Sequence, residues 1–220
     1  MDYRRRGECL SVNQPVKLFQ PENITIPERK VLLRLGYRDG KTLFEGKAVA
    51  LVSQLLENAK LEIEWNCHYR HHLIDLIDND QIELNECPFF LKSRDLANHL
   101  KRSSKITFFA LTLGNRFFNY IENYSKEKRV AEAAVLDAVG SEAVEAFAEK
   151  FSSVIKDLAR RDRCSITKRY SPGYGDWNLG VQKNLLSWLS AEKIGISLES
   201  SGIMIPEKSI TGVIGWKRNG

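Results

Sequence analysis

The chain has 220 residues, 43% apolar and 28% charged, which allows one large domain or two small ones around a core of ordinary size. Its 33 basic and 28 acidic residues are interleaved and leave a net charge of only +5, which argues against a dedicated nucleic-acid binder. No apolar run approaches the ~18 residues of a membrane span, no signal peptide is read, and Cys9, Cys67, Cys87 and Cys164 form no C-x-x-C pair, so a reduced, cytoplasmic setting is expected.

In chain order, residues 1–26 carry Pro15, Pro21 and Asn23 with little periodicity and read as an extended arm. The remainder, 27–220, reads as one domain. Arg4-Arg5-Arg6 is expected to be a solvated part of the arm. Pro27-Glu28 opens a short helix with Val31, Leu32 and Leu35 inward, ended by Gly36. Asp39-Gly40 is a turn. Residues 43–60 form a second helix on the spacing of Ala48, Val49, Leu51, Val52, Leu55 and Leu56. Alternation over 61–65 predicts a strand. Residues 68–77 and 81–84 predict a hairpin around Asp78-Asn79-Asp80. Residues 91–100 predict a short helix capped by Ser93. The apolar run 106–113 predicts a central buried strand, closed by Gly114 where a helix begins.

Residues 127–161 predict one long helix, or two broken near Gly140-Ser141. After residues 165–168 comes a loop, then a helix over 178–189 capped by Asp176 or Asn178. Strands are expected at 194–198, 202–205 and 210–216. Strands and helices mix without a βαβ rhythm, so the fold class is α+β, a mixed or antiparallel sheet with flanking helices including one long helix.

Three groups of residues invite a chemical reading. Cys67, His68, His71 and His72 gather metal-ligand types on a predicted strand, with Cys67, Tyr69 and His71 on one face and His68, Arg70 and His72 on the other. No second cluster completes a tetrahedral site, so no metal is expected and surface histidines are the plainer reading. Gly173, Gly175 and Gly180 lack the G-x-G-x-x-G spacing of a dinucleotide loop. Glu145 and Glu149 lie one turn apart on the long helix, most simply as a solvated face.

The most informative stretch is residues 167–177, Thr-Lys-Arg-Tyr-Ser-Pro-Gly-Tyr-Gly-Asp-Trp. Pro172-Gly173 forces a tight turn, and Gly175 admits close approach by a ligand or another backbone. The turn would fix Arg169 and Tyr174 on either side of it. Arg169 offers a planar fork for a carboxylate, and Tyr174 an aromatic face for a cation. A zwitterionic or sulfonium ligand fits that pair. The stretch also reads as a decorated turn before a helix.

Arg169-x-x-Pro172-Gly173-Tyr174, followed by a helix, resembles the S-adenosylmethionine signature of the activation (reactivation) domain of cobalamin-dependent methionine synthase, most of all its free-standing bacterial homologues. The resemblance continues through Leu185-Leu186, residues 191–195, and the tail 201–215, which is similar to the family pattern S-x-x-M-x-P-x-x-S-[IV]-[ST]-G. It extends more weakly to residues 109–114 and 145–149.

The resemblance implies an activation-domain-like fold. It also implies an S-adenosylmethionine-binding accessory subunit that supports reductive methylation of cob(II)alamin on a separate methionine synthase or corrinoid protein. By the same resemblance Arg169 binds the ligand's carboxylate, Pro172 and Gly173 shape the loop, Tyr174 lies beside the sulfonium, and Glu145 pairs with the ammonium. No residue of this chain is a catalytic candidate, and the chain carries no D-x-H-x-x-G cobalamin motif, so the corrin would sit on the partner. A reductant such as flavodoxin or ferredoxin is a further implied partner, with neither nucleic acid nor membrane.

Two family contacts lack a counterpart. The early acid aligns with Gly36, with Asp39 nearby but out of register, and an aromatic pair beyond the tail motif is represented only by Trp216. Two alternatives therefore stay open: a corrinoid-protein interaction module without ligand binding, and a small-molecule-binding regulatory protein.

Overall fold

The computed structural model describes residues 15–38, 40–42, 45–85, 87 and 91–218; the Arg4–Arg6 cluster, Cys9 and Asp39 lie outside these. A mainly antiparallel sheet is clad by helices on both faces. Its strands are β1 (Lys17–Phe19), β2 (Asn66–Asp78), β3 (Gln81–Leu84), β4 (Leu91–Lys92), β5 (Ser103–Thr112), β6 (Cys164–Ile166) and, after two short strands outside this sheet, β9 (Ser209–Arg218). The order is β4-β3-β2-β5-β9-β6, with β1 also paired to β2. β7 (Ser197–Leu198) and β8 (Met204–Ile205) form the separate two-stranded ribbon.

Strand β5 sits at the centre, antiparallel to β2 and β9. Its apolar run is continuous because both of its faces are covered. Phe109 and Leu111 enter one core with α1 (Glu28–Arg34), α2 (Lys47–Glu62), α4 (Gly114–Lys126) and α5 (Val130–Arg161). Ile106, Phe108 and Ala110 enter the other, with α3 (Arg94–Leu100) and α6 (Val181–Trp188). Trp216 belongs to the first core and Trp177 to the second, while Met204 is half-buried at the margin of the second.

Helix α5 runs unbroken for 32 residues. Gly140 does not interrupt it: a Cβ there would stand 2.7 Å from Phe117, so the glycine lets α4 pack close. Part of the arm is structured, since β1 pairs with β2 and Phe19 packs against Phe147 and Phe151. Residues 61–65 are not a strand. Leu61 and Glu62 finish α2, Leu61 is exposed, and only Ile63 is buried beyond the helix end. A short apolar-polar alternation fits the last turn of a helix as well as a strand. The second helix starts at Lys47 behind Gly46, and Ala48 on its first turn is exposed. Residues 191–194 form a 3-10 turn, leaving β7 only two residues.

The histidines of β2 divide between the faces as expected, but they are buried rather than on the surface. His68 Nδ1 meets the Leu189 carbonyl at 2.9 Å, and His72 packs on Trp188. His71 Nδ1 lies 2.8 Å from Thr107 Oγ1, which also accepts from the Trp216 indole at 2.7 Å. Burial, with Lys17 and Lys105 nearby, pushes the His71 pKa down to about 4, so its ring is neutral at pH 7. No group of three or more His, Cys, Asp or Glu among the described residues could hold a metal. Nor is any described helix long and apolar enough to cross a membrane.

Candidate functional site

β6 leaves the edge of the sheet at Ile166, and the chain then crosses the end of β9. Thr167 N donates to the Gly215 carbonyl (2.9 Å), and Tyr170 exchanges two backbone bonds with Val213 (3.0 and 2.8 Å). The crossing explains Gly212 in the tail motif. A Cβ there would come 2.8 Å from the Tyr170 carbonyl oxygen and 3.0 Å from Ser171 Oγ. Ser171 Oγ donates to the Thr211 carbonyl at 2.7 Å, so the two stretches of the motif form one unit.

Beyond Ser171 the turn closes on itself. Tyr174 N donates to the Ser171 carbonyl, Gly173 N to Trp177 O (2.8 Å), and Trp177 N to Tyr174 O (3.0 Å). Pro172 is buried, and Gly173 has φ +91°, the left-handed region that the turn needs. The Trp177 indole is 1% exposed and stacks on Tyr170, anchoring the loop in the second core. The Tyr170 phenol donates to Tyr174 O at 3.2 Å. Burial, then Asp95 and Asp176, raise its pKa and keep it a neutral donor.

Asp176 does not cap α6. It caps α3, where its carboxylate accepts from the Ser93 hydroxyl, from Arg94 N (2.9 Å) and from Asp95 N (3.1 Å). Asp95 Oδ2 in turn accepts from Asp176 N at 3.2 Å. The Ser93 bond and then the backbone donors hold the Asp176 pKa below the usual carboxylate value. Gly175 therefore makes room not for a ligand or a backbone but for this junction: a Cβ would lie 2.2 Å from Asp95 Oδ2 and 2.6 Å from Tyr170 OH. Asn178 accepts from Gly180 N at 2.6 Å, and α6 begins at Val181 without a side-chain cap.

On the other side of the loop a cleft of about 620 Å³ opens between α5, β6 and β9. Arg169, Tyr174, Glu145, Glu149, Ser152 and Lys168 are among its lining residues. Arg169 Nη2 donates to Glu145 Oε2 at 2.8 Å, with the side chains 26% and 46% exposed. A half-exposed pair of this kind contributes about 0.2–1 kcal/mol and is readily exchanged for another partner. Tyr174 is 61% exposed and edge-on to Tyr170.

Arg169, Tyr174 and Glu145 thus meet at one cleft, with Pro172 and Gly173 shaping the turn between them. Gly36 does not line it. Glu149, noted for its one-turn spacing from Glu145 but read as a solvated face, lines the cleft as well, and so does Ser152, for which the sequence carries no signal. The cleft joins two cations, two carboxylates, hydroxyls and an aromatic ring, a donor and acceptor set suited to a zwitterion.

The family described as vitamin B12 dependent methionine synthase, activation domain, matches residues 90–219. The chain belongs to this family. The activation-domain fold extends beyond the matched segment: the crystal structure of the MetH reactivation domain bound to AdoHcy superposes with a TM-score of 0.64 over 95% of this chain and 81% of that one, at 13% identity. No curated protein matches the chain.

Proposed function

We propose that the Arg169 cleft binds S-adenosylmethionine and that this activation-domain protein serves, in trans, the reductive methylation of cobalamin carried on a separate methionine synthase or corrinoid protein. The observation that carries this reading is the meeting of Arg169, Glu145 and Tyr174 at one cleft of about 620 Å³, within the usual size range of small-molecule sites. Membership in the activation-domain family and the AdoHcy bound to the structurally similar domain support it.

When bound, S-adenosylmethionine supplies an activated methyl on a sulfonium centre. The chain's own part is to hold it. The Arg169 guanidinium would take the ligand's carboxylate through its planar fork, exchanging Glu145 for it. Glu145, released, would face the ammonium group, with Glu149 as a second carboxylate one turn away. Tyr174, exposed at the cleft, would offer its ring to the sulfonium. The closed turn at Pro172-Gly173 holds the backbone of Tyr174, and α5 holds that of Glu145 and Glu149, before the ligand arrives, which lowers the ordering cost at binding. The corrin, an electron donor such as flavodoxin or ferredoxin, and a cytoplasmic setting complete the proposal.

Calorimetric titration of the purified protein with S-adenosylmethionine and S-adenosylhomocysteine tests it. Saturable binding of both is expected. Absence of binding would leave a corrinoid-protein interaction module, the reading that Gly36 in place of an early acid would favour.

A further inference from the structure

A further cavity, of about 530 Å³, lies between α3 and the β2–β3 turn. It is lined by Ile77, Asn79, Arg94, Ala97, Asn98, Lys101 and Arg102. Arg94, Ala97 and Asn98 follow the i, i+3, i+4 spacing of one face of α3, and Lys101, the first residue past the helix, lines the same cavity. Arg102 joins them just past the helix end, held at φ +70°, in the left-handed region that a non-glycine residue rarely adopts. Asn79 enters from the β2–β3 turn, also left-handed at φ +41°.

The charges here are not compensated. None of the three cations makes a salt bridge among the described residues, and no carboxylate lines the cavity. Of the acids close by in sequence, Asp80 lies 3.6 Å from Lys92, Asp95 accepts from Asp176 N, and Asp78 does not line the cavity. This sets the cavity apart from the Arg169 cleft, where Arg169 carries its own carboxylate.

We infer that this cavity is a binding site for a small multivalent oxyanion of the phosphate-ester or polycarboxylate class. Two guanidinium forks, one ammonium and two side-chain amides are the kinds of donor such anions take. The concave shape and the volume fit a small molecule rather than an extended nucleic acid, which needs a continuous basic face.

Titration at low ionic strength with inorganic tripolyphosphate and, separately, citrate tests the inference. The proteins compared are the wild type, the double variant Arg94→Gln with Lys101→Gln, Arg102→Gly, and the remote control Arg160→Gln. The altered side chains are exposed, and glycine suits φ +70°, so the fold is kept. Saturable binding to the wild type and the control, at least about tenfold weaker in both cavity variants, is the expected result. The tighter of the two anions names the source. No saturable binding, equal affinity in the variants, or equal weakening in the control would overturn the inference. So would tighter binding of a single-stranded oligonucleotide than of tripolyphosphate through the same residues.

Discussion

Arg169 and Asp176 stand in the same short loop, and both are charged and hydrogen-bonded, yet their surroundings differ in kind. Asp176 meets three donors at the start of α3, one of them a side chain that is itself the helix cap. All three of these donors belong to the scaffold. Arg169 meets one half-exposed carboxylate at the mouth of a cleft and keeps most of its fork available. One charge holds the loop to its scaffold, and the other faces outward to whatever enters. A signature motif therefore carries two kinds of residue, and only geometry separates them.

The largest effect on the scaffold side should come from its apolar anchor. Trp177→Ala is expected to cost about 3–5 kcal/mol in denaturant unfolding, as large core truncations do. A smaller cost would mean that the loop is not anchored in the second core.

The buried histidine of β2 should act through pH. The folded pKa of His71 is depressed to about 4 against an unfolded value near 6.5. Between these values the unfolded chain binds more protons, so stability falls as pH drops from about 6.5 to about 4, by on the order of 3 kcal/mol from this group. His71→Gln should flatten that part of the stability profile.

Gly175→Ala should destabilise by about 1–2 kcal/mol. It combines a left-handed φ with a Cβ directed at Asp95 and Tyr170. The Asp176 contribution has the carboxylate sign. Its folded pKa is lowered, so the stabilisation is complete above the unfolded pKa and is lost as pH falls through the folded one. The gap in melting temperature between wild type and Asp176→Asn should be open at pH 7 and close in acid. A gap that does not change with pH would place the effect elsewhere than in this carboxylate.

Sequence patterning made much of this legible. The central strand was readable from its uninterrupted apolar run, the long helix from its composition, and Ser93 as a cap from its position before α3. Residues 61–65 were misread because two periods fit so short a segment. Asp176 was one of two candidate caps for the neighbouring helix, beside Asn178, because a cap that bridges to α3 leaves no local signal. Gly140 and Gly212 looked like a possible break and a motif letter. Both are close approaches, by Phe117 and by the Tyr170 carbonyl, that exist only once distant segments meet. The buried histidines were likewise hidden, since polar residues on a strand say nothing of a second layer above them. At the cleft, Arg169 and Tyr174 were readable from chemistry and spacing, whereas Glu145 stood out only through the family resemblance.

The most direct test of this division of labour is calorimetric titration of Arg169→Ala with S-adenosylmethionine, with its thermal melt recorded alongside. The account predicts that binding is lost while the melting temperature stays within the small range expected for a half-exposed ion pair. Binding at wild-type affinity would contradict it and remove Arg169 from the site.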